Sequence, residues 1–188
     1  SLSYLNKKDT SQYGSIEAAL SNLGNISFNL EEYDQAIDFY KESLSYSKNN
    51  YGTNITKNAL ANAYREKKQY KEAIKIQQGM LIQKMDEIEY ARILSNLNYT
   101  KWLNQTKFNA QTGLLKALTL RLKNNDTRGL NASFSHLADY YENTLPDSAL
   151  SYAKKMLLNA INNKNVDDQL DALQKLIRLS EPIDAKKH

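Results

Sequence analysis

The chain has 188 residues, with 25 Lys and Arg against 21 Asp and Glu and a formal net charge of +4. It contains no cysteine, which excludes a disulfide framework, a thiolate metal site and cysteine catalysis together, and leaves the compartment open between cytoplasm and periplasm. A mean hydropathy of −0.67, no apolar run near the ~18 residues that span a membrane and no visible signal-peptide pattern predict no membrane contact by this stretch, while 6 Gly and 2 Pro are too few for an all-β sandwich.

In chain order, Ser1-Leu2-Ser3-Tyr4 repeats Ser43-Leu44-Ser45-Tyr46, so residues 1–10 read as the end of a preceding repeat. Residues 15–50 form the first helix pair. Leu20, Leu23, Gly24 and Ser27 lie at helical spacing, and after the turn at Asn29-Leu30-Glu31-Glu32 the residues Tyr33, Ala36, Ile37, Tyr40 and Leu44 recur at i, i+3, i+4 and i+7. Residues 53–86 repeat the pattern with Leu60, Ala61 and Tyr64, a turn at Lys67-Lys68-Gln69, then Tyr70, Ala73, Ile74, Gln77 and Leu81. Residues 88–125 carry Leu94, Leu97 and Lys101, then Ala110, Leu114, Ala117 and Leu118; residues 128–164 carry Leu137, Ala138 and Tyr141, then Ala149, Leu150, Ala153 and Leu157. In residues 166–188, Leu170, Leu173, Leu176 and Ile177 start a further repeat, and Pro182 suits the start of a partner helix. Both ends thus read as cut from a longer array.

The spacing supports the pairing. Ala36, Ala73 and Ala110 follow one another at 37 residues, and the Leu-Ser-Asn-Leu run at Leu20 recurs at Leu94, twice that distance on. A small residue in one helix lets its antiparallel partner approach while an aromatic fills the gap. Three Asn-rich clusters, Asn49-Asn50-Tyr51-Gly52, Asn124-Asn125-Asp126 and Asn162-Asn163-Lys164-Asn165, read as stops and restarts, since Asn tolerates the left-handed conformation at a helix end. The fold class is therefore all-α, with antiparallel helix pairs at a period of about 37 residues. Gly79 and Gly113, inside second helices where glycine costs about 1 kcal/mol against alanine, are expected to pack closely on the next unit.

On these residues the chain resembles the tetratricopeptide repeat (TPR) family. Leu23-Gly24, Ala36, Tyr40 and Ser43 match its pattern in the first pair, and Leu60-Ala61-Tyr64 with Ala73 in the second. Leu97, Ala110 and Ala117 match in the third, and Leu137-Ala138-Tyr141 with Ala149 in the fourth. Asn98 and Lys101 replace a small residue and a tyrosine in the third pair, and Gln77 replaces an aromatic in the second. The resemblance implies a single right-handed superhelix over residues 1–188 whose first helices line a concave, partner-binding side.

Chemistry is absent from the pattern. There is no Gly-rich phosphate loop, no His-Glu-x-x-His pair and no acidic ladder at metal spacing, so no catalytic residue, metal or cofactor is expected, and the protein reads as no enzyme. Of the two histidines, His136 sits beside core positions as a partly buried polar residue. Asp167, Asp168 and Asp171 read as complements to a helix dipole.

Carrying the family geometry over, the concave row holds Ser21, Asn25, Phe28 and Asn29, then Asn58, Asn62, Arg65 and Glu66, then Arg92, Ser95, Tyr99 and Trp102. Ser135, Asp139, Glu142 and Asn143 follow, then Asp171, Lys175 and Arg178. The binding residues expected from this row are Asn25, Asn58, Asn62, Arg65, Arg92, Tyr99, Trp102 and Asp139. Asparagine amides pair with both groups of a peptide bond, Arg65 and Arg92 offer forks for a carboxylate, and Trp102 is either an anchor in the groove or a wedge between helices. The carboxylate grip of the co-chaperone branch is incomplete, with Ser21 in place of Lys and Ala59 in place of Asn, so chaperone docking is not expected. The resemblance points to a non-catalytic module that binds a peptide or protein or mediates self-association, in the manner of repeat regions of bacterial histidine kinases or DNA-binding regulators, including membrane-anchored sensors. A helical-repeat RNA binder is the alternative, supported only by the mildly basic balance, because the row does not recur from unit to unit as base reading requires. An all-helical enzyme is the third class. No specific nucleic-acid binding is expected, since the charges are dispersed.

Overall fold

The computed structural model describes residues 13–47 and 51–180, and among them it contains helices and turns but no strand. The chain divides into two compact units, residues 1–83 and 84–188. The first holds α1 (Tyr13–Asn29), α2 (Tyr33–Ser45), α3 (Tyr51–Glu66) and α4 (Tyr70–Leu81). The second holds α5 (Glu87–Asn104), α6 (Gln111–Lys123), α7 (Thr127–Tyr141), α8 (Pro146–Asn162) and α9 (Val166–Ser180). The Ser1–Tyr4 run, Pro182 and His188 lie outside the described residues. Within each unit every helix packs on its successor, and alternate helices also meet, α1 on α3 and α5 on α7. That is the arrangement of stacked antiparallel pairs.

The periodicity explains the packing. Ala36, Ile37, Tyr40, Leu60 and Ala63 build the core of the first unit, and Leu114, Leu118, Leu130, Phe134, Leu137, Tyr141 and Met156 that of the second. Every expected alanine is sealed: Ala36, Ala73, Ala110, Ala117, Ala149 and Ala153 are fully buried. In the fourth pair Met156, not the neighbouring Leu157, takes the buried position.

Four turns share one geometry. Glu31, Lys68, Asn125 and Lys164 have φ of 62°, 59°, 52° and 53°. In each case the next residue donates its N–H to the carbonyl five residues back: Glu32 to Ser27, Gln69 to Tyr64, Asp126 to Arg121 and Asn165 to Ala160. This left-handed closure satisfies carbonyls that the helix end leaves open. Asn125 is the expected residue for it, whereas in the third cluster Lys164 takes the left-handed position and Asn165 follows. Tyr51 and Gly52, read as part of a linker, instead open α3; Asn49 and Asn50 lie outside the described residues.

The glycines correct one expectation. A Cβ on Gly24 would lie 2.5 Å from the Tyr40 ring, which is 1% exposed, so this glycine lets α1 and α2 close. In the third pair the sizes are exchanged: Asn98 stands where the others have a small residue, and Gly113 of the adjacent helix α6 makes the room for it. Gly113 therefore packs within its own pair, not on the next one, and Gly79 has no atom within 4 Å of its missing Cβ. Two substitutions of the same kind should then move stability in opposite directions. Gly79→Ala is expected to stabilise by up to about 1 kcal/mol through helix propensity alone, and Gly24→Ala to destabilise by about 1–3 kcal/mol through overpacking. Urea titrations followed by circular dichroism would check both signs.

Candidate functional site

In the first unit the candidate surface is built by α1 and α3. Helical spacing brings Glu17, Ser21 and Asn25 onto one side of α1, facing Ile55 and Thr56 of α3 around a cavity of about 430 Å³. Ser21 and Thr56 join their hydroxyls at 3.0 Å, and Thr56 also donates to the Gly52 carbonyl at 3.1 Å. Asn25 accepts from the Tyr40 hydroxyl at 2.8 Å, which fixes its carbonyl oxygen toward α2. Glu17 is buried at 5% exposure and accepts from the Thr53 hydroxyl at 3.3 Å.

Farther along α3, the Arg65 fork is already occupied. It donates to Glu66 at 3.0 and 3.1 Å and to Asn62 at 3.2 Å. Asn58 is buried. Asn62 and Arg65 therefore form one exposed-edge network with Glu66, while Asn58 belongs to the interior of the unit. A ligand carboxylate at Arg65 has to displace Glu66.

The second unit joins its first helices by a longer chain of contacts. Tyr99 of α5 donates to Asp139 of α7 at 2.8 Å and stacks on His136 at 4.0 Å between centroids and 11° between planes. His136 Nδ1 lies 2.9 Å from the Ser95 hydroxyl. Asp139 also holds Lys175 and, at 2.6 Å, Arg178 of α9, and Arg178 reaches Glu142 at 3.1 Å. Burial pulls the Arg178 guanidinium down, but the hydrogen bond and charge of Asp139 outweigh it and leave its pKa above the ordinary value. Asp171, half-hidden near Asp168 and Asp167, has its carboxyl raised by burial first and by those like charges second. Trp102 is half-buried and lies edge-on to Tyr140 at 5.8 Å and tilted against Tyr99 at 5.7 Å. Arg92 pairs with Glu89 at 3.4 Å on its own helix.

Two groups of the expected residues meet, and the others stand apart from them. The structure brings Tyr99, Trp102 and Asp139 together, and it brings Asn62 to Arg65. Asn25 stands at the α1–α3 cavity, and Arg92 stands with Glu89. Sequence reading missed Glu17, because one glutamate in a polar helix carries no signal until α3 is laid against it. It also missed Arg121, buried at 2% exposure between α6 and α7. Asp168 serves as read: it lies in the first turn of α9, where its N–H donates to Asn165 at 3.2 Å and its carboxylate accepts from Asn165 and Asn131. Among the described residues no helix is long and apolar enough to cross a membrane.

Residues 15–79 match the family model of the tetratricopeptide repeat, and the second unit is likewise built of packed helix pairs. Residues 15–79 carry tetratricopeptide repeats. Its fold is similar to two crystal structures of nearly identical TPR-like repeats from a Podosopora anserina kinesin light chain. One is 14% identical at a TM-score of 0.62, covering 89% of this chain and 86% of that one; the other is 15% identical at 0.60, covering 86% and 84%. A looser likeness, at a TM-score of 0.47 and 23% identity over 97% of this chain and 94% of that one, is to YrrB, described as a TPR protein with an unusual peptide-binding site. No curated protein matches the sequence. In family terms Gly24 and Tyr40 are the small and the aromatic position of the first repeat, and their contact carries a pH signature. Burial pushes the Tyr40 hydroxyl up to about 12. Because the folded value lies above the unfolded value near 10, the contribution of Tyr40 is complete below pH 10 and is lost as pH rises toward 12. Tyr40→Phe is expected to flatten the stability of this unit over that window, as read by urea midpoints at pH 9, 10 and 11.

Proposed function

We propose that this TPR chain is a non-catalytic module that binds an extended peptide or protein segment on the first-helix faces of its units. The observation that carries the reading is the side-by-side meeting of first helices, α1 with α3 and α5 with α7. It collects amides, hydroxyls and half-buried aromatics on one face while the apolar stripe is spent in the core. Such a face offers peptide-pairing groups and an apolar anchor in Trp102, and the TPR fold is generally an interaction module. The cations of the face are balanced locally, Arg65 by Glu66, Arg92 by Glu89, and Lys175 with Arg178 by Asp139. That balance favours a peptide over a polyphosphate backbone. The wider context we propose is the interaction or sensing region of a bacterial signalling protein of histidine-kinase or DNA-binding-regulator type; the Asn-, Lys- and Tyr-rich helices and the 37-residue spacing support it.

Selection of a random dodecapeptide phage library on the immobilised protein tests the binding reading. Enriched peptides should lose about 1–3 kcal/mol of affinity on Arg65→Ala or Trp102→Ala. The arginine variant should also melt lower, because the Arg65 side chain is only 12% exposed and is bonded to Asn62 and Glu66, so its affinity is compared at a temperature where it stays folded. Absence of any enriched peptide, or affinities that neither variant changes, would reject the binding face.

A further inference from the structure

The cavity between α1 and α3 has a chemistry of its own. We infer that it receives the cationic end of a lysine or arginine side chain from the bound segment, an inference that rests on the peptide-binding reading and names what the first unit selects. At about 430 Å³ the cavity falls in the size range of ligand sites. Among the described residues Glu17 is its one ionisable lining residue, and no Lys or Arg lines it. The carboxylate is held against the wall at 5% exposure, with a hydroxyl of Thr53 at 3.3 Å as a neutral partner.

The hydroxyls point the same way. Thr56 has one hydroxyl hydrogen and gives it to the Gly52 carbonyl. In its 3.0 Å contact with Ser21 it must therefore accept, so the Ser21 hydrogen is spent as well. What both hydroxyls have left is lone pairs. Asn25 has its carbonyl oxygen engaged by Tyr40. Its amide NH2 and that of Asn22, which also lines the cavity, remain as donors, so the charge of Glu17 and the hydroxyl acceptors set the preference of the site. An ammonium or guanidinium, all donor and no acceptor, complements that set. A carboxylate would meet the like charge of Glu17, which the neutral amides of Asn22 and Asn25 do not cancel. The first turn of α3 stands close by, and its end carries about half a positive charge, which offsets the carboxylate only in part. Ile55 and Ala18 supply apolar wall for a methylene stem.

A four-carbon pair of probes isolates the charge. Amide chemical shifts of the ¹⁵N-labelled chain are followed while n-butylammonium or butyrate is added. The expected result is saturable movement of the Ser21 and Thr56 signals with butylammonium and none with butyrate. Glu17→Gln should weaken that response about tenfold or more, the scale of a lost charge-assisted hydrogen bond. Ser21→Lys gives a second variant that does not depend on removing the buried carboxylate. It places a tethered ammonium at i+4 from Glu17, the favoured order for such a pair on a helix, and should abolish the response while the rest of the spectrum is kept. Equal movement with butyrate, or a butylammonium response indifferent to both variants, overturns the inference. The dodecapeptide selection separates the two levels. Enriched peptides rich in Lys or Arg, and losing that bias on Glu17→Gln, support it. Enriched peptides with no basic preference overturn it and leave the peptide-binding reading standing, whereas no enrichment rejects that reading and the inference with it.

Discussion

Asp126→Ala is expected to cost the second unit about 3–5 kcal/mol, the largest effect of any single substitution considered. Arg121 is 2% exposed, a charge taken out of water at the junction of α6 and α7. Its guanidinium donates to the Gly129 carbonyl and, at 2.7 Å, to Ser133, and its Nε lies 3.6 Å from Asp126. Burial pulls the Arg121 pKa down to about 10, against the opposing charge of Asp126. The same aspartate accepts the Gly129 N–H at 2.9 Å and so caps α7. Its removal leaves a buried cation without a counter-charge and a helix without its cap, two losses of different kind. Gly129 belongs to the same arrangement, since a Cβ there would strike the Asp126 carboxylate and the Arg121 Nε. A second substitution tells the two losses apart. Asp126→Ser keeps a capping oxygen and removes the charge, so it should recover about 1 kcal/mol of the loss; adding Arg121→Met should recover most of the remainder, because a well-packed apolar side chain replaces a buried ion pair at little or no cost. Chemical denaturation of the three variants checks the order. A mild effect for Asp126→Ala would show that Arg121 is held by its neutral partners alone.

The contrast between Arg121 and the alanines shows what was legible beforehand. Ala36, Ala73 and Ala110 announce buried positions because the helix-pair geometry demands a small residue at a fixed register, and one register repeats. Periodicity reports positions that obey a common rule. Arg121 breaks the rule: at a site where neighbouring pairs bury no charge, it reads as one more surface cation until Asp126, Gly129 and Ser133 are brought around it by the left-handed turn at Asn125. The Asn98–Gly113 exchange was half visible. The large residue at a small position stood out, but its compensation lies fifteen residues on, in a helix whose register was uncertain to the needed single residue.

The candidate face divides in the same way. Which residues share it follows from helix spacing, so Tyr99, Trp102 and Asp139 were named together and do meet. What each has left to offer a partner is a question of neighbours. Asp139 is engaged by Tyr99, Lys175 and Arg178, and the Arg65 fork is closed by Glu66. Spacing along α7 cannot report the ion pairs that Asp139 makes across to α9. Asp139 thereby joins α5, α7 and α9 of the second unit, whereas the α1–α3 cavity of the first stands open.

Gln77→Met is expected to stabilise the first unit by about 1–3 kcal/mol, the cost of a buried polar group without a hydrogen bond. Gln77 lies 37 residues after Tyr40 and takes the register in which the first repeat buries its aromatic ring. It is fully buried, and neither its amide nitrogen nor its amide oxygen has a hydrogen-bond partner among the described residues. Two hydrogen-bonding groups have left water with nothing in exchange. Methionine keeps the unbranched shape and nearly the volume, so the packing around the site need not change, and α4 loses no helix propensity because the two residues rank alike. The gain should appear as a melting temperature several degrees higher, by the usual scaling for a chain of this size. Gln77→Glu sets the opposite sign: the same shape with a charge in the same dry place should destabilise, and more so at neutral than at acid pH, because burial raises a carboxyl pKa and favours its protonated form. A methionine variant that melts lower would mean that the amide is satisfied in solution, and the site would then count as a polar contact of the repeat and not as a defect in it.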